Sequence, residues 1–458
     1  MKPKVQVIAR READFARATK TDGLKILKNT APELHPLSQQ IEYVRAVRAA
    51  KMKKMFSKPF IGSLEGHSDT ITALSRDHRE GDIPTLVSGS VDGDIRIWDL
   101  SARECLHTFH AGSCVNDVCS DHKSELVLGV SANAHIYGFR VDSDSDDKVH
   151  FDYTSPHGHL SSIDFSYAND QFVTAGEALM LWSPHRNQPI LKFSSQIRQF
   201  TDSVFNQNEQ NLICACAEDR SIIIADTRTS TIARTITMKT KSNAVDWNPQ
   251  KPFYFVVAND DSACYLFDVR KTESAIRVFT DHLGPVTCIN FSPNGNEFVS
   301  GSYDRTVRVW DWSQIKSLDC YHTKRMQRVF SCCISHDSKF VITGSEDMSI
   351  RLFKTKANEV LTARSKKEEE AQNMNERLLK KWRHSTEVKM IAEKQNLPKT
   401  LHRQRYERAK QMDAVSRKAL ARMAHSKDPE SMKPKPLRIG RIVDDDGREE
   451  QKQEEQEE

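Results

Sequence analysis

The sequence has no run of about 18 consecutive apolar residues, the length a membrane-crossing helix needs, so no membrane partner is expected. Its first residues, MKPKVQVIARREADF, lack the apolar core of a secretory signal, which points to an intracellular protein. The ten cysteines form no framework. They stand singly or at strand spacing, as at Cys214 and Cys216 or Cys332 and Cys333, and no C-x-x-C pair occurs. Small buried thiols in a reducing compartment are therefore expected in place of disulfides or zinc ligands. Catalytic signatures are missing too. There is no G-x-x-x-x-G-K-[ST], no G-x-G-x-x-G at a strand–helix junction, no H-E-x-x-H and no G-x-S-x-G. Without a phosphate cradle, a zinc helix or a nucleophile elbow, the chain is expected to be no enzyme and to hold no cofactor and no metal.

Charge is plentiful and segregated. Lys and Arg number 67 against 63 Asp and Glu, for a net charge of +4. Residues 1–58 hold 14 basic against 5 acidic side chains, and residues 59–355 hold 28 against 38. Residues 356–442 hold 23 against 11, and the last 16 residues 2 against 9. An acidic middle thus lies between basic flanks, a pattern that points to arms contacting nucleic acid or acidic protein surfaces. Such arms neutralise phosphates, which gives salt-dependent affinity without reading sequence.

The middle is repetitive. Gly301–Trp312 (GSYDRTVRVWDW) is its clearest unit: Gly301-Ser302 reads as a turn, Asp304-Arg305 as a tighter one, and Thr306–Trp310 as a strand. Gly89–Asp99 says the same thing upstream. The strand-closing positions are Trp98, Phe139, Trp182, Ala225, Phe267, Trp310 and Phe353, separated by 41, 43, 43, 42, 43 and 43 residues. A period of about 40–45 with four short strands per unit indicates a WD40 β-propeller, whose units stack radially because none can bury its sheet alone. Seven copies predict an all-β, seven-bladed ring over residues 59–356. Phe60–Leu64 resembles an outer strand without a blade of its own, so it is expected to complete the seventh blade.

His67, Ser88, Asp92 and Trp98 recur as His282, Ser300, Asp304 and Trp310. A hydrolase triad occurs once, whereas this set repeats with the fold period. It therefore reads as structural, because buried indole, hydroxyl and imidazole groups need partners. The last copy keeps His322, Thr343 and Asp347. Asp142–Asp147 (DSDSDD) begins like a calcium loop but lacks the glycine and the closing glutamate, so it reads as a solvated acidic loop, with phosphorylation of Ser143 or Ser145 as the alternative.

The flanks read as helical. Residues 1–58 form a basic extension with one helix, Leu37–Met55, capped by Ser38, with Ile41, Val44, Arg48, Met52 and Met55 on one face. Residues 357–443 form a basic helical domain. Within it Ser365–Gln395 reads as one helix and Leu401–His425 as a second, and Leu437–Ile442 is expected to extend along a partner. In the second helix Ala409, Met412, Ser416, Ala419 and Met423 share a face, and the other faces carry basic residues. Arg403, Arg405, Arg408, Arg417, Lys418 and Arg422 are the RNA-contact candidates, with Lys324, Arg325 and Arg328 as a propeller-borne patch. Trp382 and Tyr406 could stack on bases, though helix packing suits Trp382. Residues 444–458 are too acidic and polar to fold and read as a disordered tail that shields the basic helices.

Several segments carry a family resemblance: Leu34–Leu37, Tyr43–Ala46, Phe56–Phe60, Tyr321–Val329 (YHTKRMQRV), Arg351–Lys354 and Asn396–Lys399. Together they resemble the Sof-one-like WD40 family, a nucleolar component of the U3 small nucleolar ribonucleoprotein and small-subunit processome. The chain departs from that pattern at Glu393-Lys394-Gln395, which is less basic than usual. The resemblance implies a nucleolar scaffold in pre-18S rRNA processing and 40S subunit assembly. Its implied partners are U3 snoRNA, pre-18S rRNA and other processome proteins. Animal members are also similar to substrate receptors of cullin–RING ubiquitin ligases. The residues matching that adaptor-contact box are Asp226 and Arg228 in Ala225–Arg228, and Asp268 and Arg270 in Phe267–Arg270. Both can equally be ordinary turn pairs at strand ends.

Overall fold

The chain forms seven groups of four short antiparallel strands, and each group is a separate sheet. These are the blades of the propeller, seen in a computed structural model. The structure describes residues 37–76, 85–121, 126–140, 149–167, 169–193, 199–359, 363, 365–425, 437–440 and 442. The Asp142–Asp147 loop, the region before residue 37 and the acidic tail lie outside them. Blades 1 to 7 have the innermost strands Ile71–Arg76, Val115–Ser120, Leu160–Phe165, Phe200–Phe205, Ser242–Trp247, Val286–Phe291 and Val329–Ile334. Each inner strand packs on the next and the last on the first, so the ring closes.

The seven strand-closing positions all fall in third strands. The first strand of the chain, Phe60–Glu65, pairs antiparallel with Ser349–Lys354, so that Leu64 faces Ile350 and blade 7 is completed from the opposite end of the propeller. The second strands lie between two neighbouring blades. All seven therefore read as almost wholly buried runs, such as LVLGVS over Leu126–Ser131 and FVTAG over Phe172–Gly176. Gly301 and Ser302 form no turn: they are the last two residues of the second strand of blade 6, Glu297–Ser302, and the turn follows at Tyr303–Arg305. A Cβ on Gly301 would stand 2.7 Å from the Val329 side chain of blade 7, so the position needs glycine for close approach. The bend itself is taken by Arg305, at φ 63°, in the place Gly93 fills in blade 1.

Around the channel, carboxylates join neighbouring blades. Asp117, Asp164, Asp202 and Asp246 lie on the inner strands of blades 2 to 5. Asp117 accepts the backbone N–H of Ile163 at 2.9 Å, Asp164 that of Phe205 at 2.6 Å, Asp202 that of Val245 at 2.9 Å and Asp246 that of Phe291 at 2.5 Å. In blade 6 Asn290 does the same for Ile334 at 3.2 Å. Each side chain thus bridges to the next blade. Burial pushes the Asp164 carboxyl up to about 8 and those of Asp202 and Asp246 up to about 6, while the bonded N–H groups hold them down. Asp117 is raised as well, for the same reason. All four line a channel cavity of about 290 Å³, together with Arg76 and Tyr167.

Helices α1 (Ser38–Met55), α2 (Lys366–Lys381) and α3 (Thr386–Glu393) make one compact unit; the propeller with α4 (Lys399–His425) and α5 (Leu437–Gly440) makes the other. The helical extension expected as a single domain over 357–443 is therefore shared between two units. In the first unit α1 packs through Ala46 and Ala50 against Val388, with Leu378, Trp382 and Ile391 around them. Tyr43 meets Trp382 edge-on at 5.5 Å, which gives Trp382 a packing role. The face expected to be apolar is the outer one: Ile41, Val44, Met52 and Met55 are exposed, because small alanines let the helices approach more closely. Leu37, not Ser38, is the N-cap, and it makes no side-chain capping bond. Ser365–Gln395 is two helices, not one. Ser365 caps α2 through a capping box, and the chain breaks after Trp382 so that Ser385 starts α3 in extended geometry, a place where serine competes with helix. Leu437–Gly440 forms the short helix α5. α5 lies beside the outer strand of blade 5, where Ala275 N–H donates to the Arg438 carbonyl at 3.1 Å, and Ile442 is buried beside Met238.

Candidate nucleic-acid and partner interface

The two full repeat sets are assembled and closed. In blade 6 Trp310 Nε1 donates to Ser300 Oγ at 2.7 Å, and Ser300 Oγ lies 2.7 Å from His282 Nε2. His282 Nδ1 lies 3.0 Å from Asp304 Oδ2. Asp304 can only accept, so the neutral ring keeps its proton on Nδ1, and Nε2 accepts the serine proton while Ser300 Oγ accepts the indole N–H. Burial lowers the His282 pKa, which suits this neutral ring. Blade 1 repeats the chain through Trp98, Ser88, His67 and Asp92 at 2.8, 2.7 and 3.4 Å. Burial would raise Asp92, but N–H donation from Asp94 and Ser68 carries it down to about 2. Ser300 is 0% exposed, so a substrate cannot reach it and the set is structural. In blade 7 the set does not form. Asp347 instead binds Ser345 and the Arg351 guanidinium.

The back of that best-formed repeat seats α4. The His282 carbonyl accepts Arg408 Nη1 at 3.1 Å, and Ser262 Oγ accepts it at 2.7 Å. Arg405 lies 3.6 Å from Asp281. Asp281 also takes the N–H and hydroxyl of Ser317, at 2.9 and 2.8 Å. Behind it is Arg308, 1% exposed, which donates to Ser317 Oγ at 2.9 Å and to Gln395 Oε1 at 3.1 Å. The Gln395 amide donates back to Ser317 Oγ at 2.7 Å. Leu401 is buried beneath the first turn of α4. Sequence reasoning missed Arg308, Ser317, Asp281 and Gln395. The available signal was an arginine two residues before the closing aromatic, at Arg96, Arg308 and Arg351, where a buried guanidinium must find an acid.

This seat sorts the RNA candidates. Arg408 donates to the propeller and Arg405 lies against Asp281, so both hold the helix in its seat, and Arg405 keeps about half of its side chain exposed. They lie on the same face of α4 as Met412 and Ala419, not on the others. Arg403, Arg417, Lys418 and Arg422 are exposed. Arg403 pairs with Glu407 at 3.1 Å and Arg417 bonds the Asp413 carbonyl of its own helix at 3.2 Å; both pairs are at the surface, where such bonds are weak. Tyr406 is exposed, with Lys410 4.5 Å above its ring. On the propeller Lys324 and Arg325 edge a cavity of about 700 Å³ near Phe60 and Arg351, and Arg328 lies 5.3 Å over Tyr303.

The remaining candidates stand at strand ends of blades 4 and 5. Arg228 is exposed, 3.7 Å from Asp226, whose carboxylate also accepts the Arg228 N–H at 2.9 Å. Arg270 grips Asp268 with two bonds of 3.1 and 3.0 Å and lies 4.5 Å over Phe253. Both are turn pairs whose guanidinium groups face outward. Among the described residues no group of three or more His, Cys, Asp or Glu side chains is placed to hold a metal, and no helix is long and apolar enough to cross a membrane.

Residues 355–440 match the Sof1-like domain, and residues 58–99, 273–311 and 312–354 match the WD domain, G-beta repeat. A zebrafish (Danio rerio) protein named DDB1- and CUL4-associated factor 13 is 35% identical, over 93% of this chain and 96% of its own. The human protein of that name is 33% identical over the same shares. Protein SOF1 of Saccharomyces cerevisiae is 33% identical, over 87% of this chain and 86% of its own. The WD40 propeller domain of Doa1 matches at a TM-score of 0.55 and 18% identity, over 64% of this chain and 96% of that one, which supports the fold alone. Both matched domains and a similarity that runs nearly end to end lead to one conclusion: the chain belongs to the Sof1-like family of WD40 proteins.

Proposed function

We propose that the protein is a non-enzymatic nucleolar scaffold of the small-subunit processome that serves pre-18S rRNA processing and 40S subunit assembly. U3 snoRNA, pre-18S rRNA and other processome proteins are its proposed partners. The observation that carries this reading is the seating of α4. A long helix is fixed to a rigid propeller by Arg405, Arg408 and Leu401, while Arg403, Arg417, Lys418 and Arg422 stay solvent-facing. Pre-positioned cationic side chains meet phosphates without first losing the entropy of ordering an arm. The near full-length similarity to Protein SOF1 supports the same reading. The test is to change Arg403, Arg417, Lys418 and Arg422 together to alanine and map RNA crosslinked to the intact protein in cells. U3 and pre-18S sequences are expected from the wild type and a loss of most of them from the variant. In vitro, the log–log salt dependence of RNA affinity should flatten by about 3, from four lost phosphate contacts. An unchanged crosslink map would refute the assignment.

A second reading has its own observation. The outward guanidinium groups of Arg228 and Arg270 stand at equivalent strand ends of adjacent blades, and the animal relatives are named for association with DDB1 and CUL4. We infer a contact of this surface with a cullin–RING ligase adaptor. Arg228→Ala with Arg270→Ala should then abolish binding to purified DDB1 and leave pre-18S processing intact. Equal binding by wild type and variant sinks this reading.

A further inference from the structure

The face of α4 that meets the propeller does not stop where the propeller does. Leu401, Arg405 and Arg408 recur at helical spacing as Met412, Val415, Ala419 and Met423, and Leu420 borders the row. Met412, Val415 and Leu420 are 57, 62 and 63% exposed, so an apolar stripe continues into solvent past the seat. Isolated surface apolar side chains need no explanation, but a continuous stripe on a held helix does. One border of the stripe is Gln411, Lys418 and Arg422. Two copies laid stripe to stripe would bring these cationic borders together, which disfavours a second copy of the chain. RNA offers no groove that rewards methionine and valine, and the basic back of the helix already suits it.

We propose that the distal half of α4 is a protein-docking helix that lays Met412, Val415, Ala419 and Met423 into an apolar groove with an acidic rim, the rim meeting Lys418 and Arg422. This is recognition of a helix in a groove, with anchors one turn apart. Because the proximal half is already fixed on blade 6, the partner binds a preformed helix and loses little ordering entropy. The stripe's own residues contribute no charge and Arg403 and Arg417 lie off it, while Lys418 and Arg422 at its border are shared with the RNA reading.

The test uses the full chain in cells with a photo-crosslinking residue. Met412→benzoylphenylalanine and Val415→benzoylphenylalanine should each yield the same discrete protein adduct. The crosslinked peptide, sequenced by mass spectrometry, should carry Asp or Glu beside apolar residues. Lys418→Glu with Arg422→Glu should cut the adduct yield at least about fivefold, as for reversed rim charges. Ser416→Asp should abolish the adduct, and because Ser416 is exposed the variant should melt within about 0.5 kcal/mol of wild type. An adduct with a second copy of this chain, with RNA or with lipid overturns the proposal, as does no adduct at all. Arg417→benzoylphenylalanine reports separately: loss of its RNA adduct alone would sink the RNA reading and leave the docking helix standing.

Discussion

Blades 1 and 6 and blades 2 to 5 are held in two different ways. In blades 1 and 6 a closed chain of Trp, Ser, His and Asp ties the third strand through the second to the segment that enters the blade. In blades 2 to 5 that set is missing or reduced, as in blade 3, where Trp182 donates to Thr174 at 2.9 Å and no histidine follows. These are the blades that carry a channel aspartate bonded to the next blade. A ring needs each blade to keep its own sheet and to stay against its neighbour. Where the internal network is gone, the inter-blade carboxylate remains. The repeat model matches residues 58–99, 273–311 and 312–354, which are blades 1, 6 and 7, the blades whose sequence keeps the His, Ser or Thr and Asp of the set even though blade 7 does not close it. What the blades between share is period and burial, not the polar residues of the set.

The sharpest way to break this contrast is to remove one hydroxyl from each kind of blade. Ser300→Ala leaves the Trp310 indole N–H and the Nε2 of His282 buried without their partner, while His282 Nδ1 keeps Asp304. At about 1–3 kcal/mol for each orphaned group, it should lower unfolding free energy by about 3 kcal/mol. Thr174→Ala orphans only the Trp182 indole and should cost about 1–2 kcal/mol. Denaturant unfolding of the two variants checks the order. Equal losses would mean that the histidine contributes nothing beyond the indole bond.

The stapled blades should differ from the networked ones in pH dependence. Asp202 is pushed up to about 6 by burial, so its protonated form is the one the fold prefers. Its contribution to stability is therefore complete below about pH 4 and is lost as pH rises through about 6. A rise of two pH units in pKa corresponds to about 2–3 kcal/mol. Asp202→Asn should match wild type near pH 4 and exceed it by up to about 2 kcal/mol at pH 8, and thermal melts across that range decide it. Asn290 shows that an amide can make the same inter-blade bond. A variant that tracks wild type at every pH would mean that Asp202 stays ionised in the fold.

Much of the ring was legible because its physics is periodic. Phe60–Leu64 announced the closing strand, since an outer-strand pattern without a blade has one free edge to join. The structural reading of Ser300 followed from its recurrence. Reading Gly301-Ser302 as a turn failed because glycine signals both turns and close approach, and only the neighbouring blade tells them apart. The packing face of α1 was not legible from hydrophobicity because size outweighed it: alanines fit where methionines do not. The α4 seat was hidden for a different reason. Arg308, Asp281, Ser317 and Gln395 are far apart in sequence, and composition placed Arg405 and Arg408 among surface charges. The departure at Gln395 was the clue, because a cation there would face the Arg308 guanidinium, whereas an amide can accept from it and donate to Ser317.

The smallest expected effect comes from converting a networked blade to the stapled type. Asn290 sits on the inner strand of blade 6 and already bonds Ile334 of blade 7, so Asn290→Asp alters charge while keeping shape. One difference separates the new carboxyl from its neighbours. The Phe291 N–H beside it is taken by Asp246, whereas Asp202 receives both the following N–H and that of the next blade. With one donor in place of two, and Asp246 nearby, ionisation at 290 should be disfavoured. The variant should therefore be within about 0.5 kcal/mol of wild type below about pH 5 and lose about 1 kcal/mol by pH 8. Combined with Asp202→Asn, its loss should persist, because the two sites lie on inner strands separated by blade 5. A loss that vanishes in the double variant would show that the channel titrates as one coupled ring, and the blades could then no longer be treated one staple at a time.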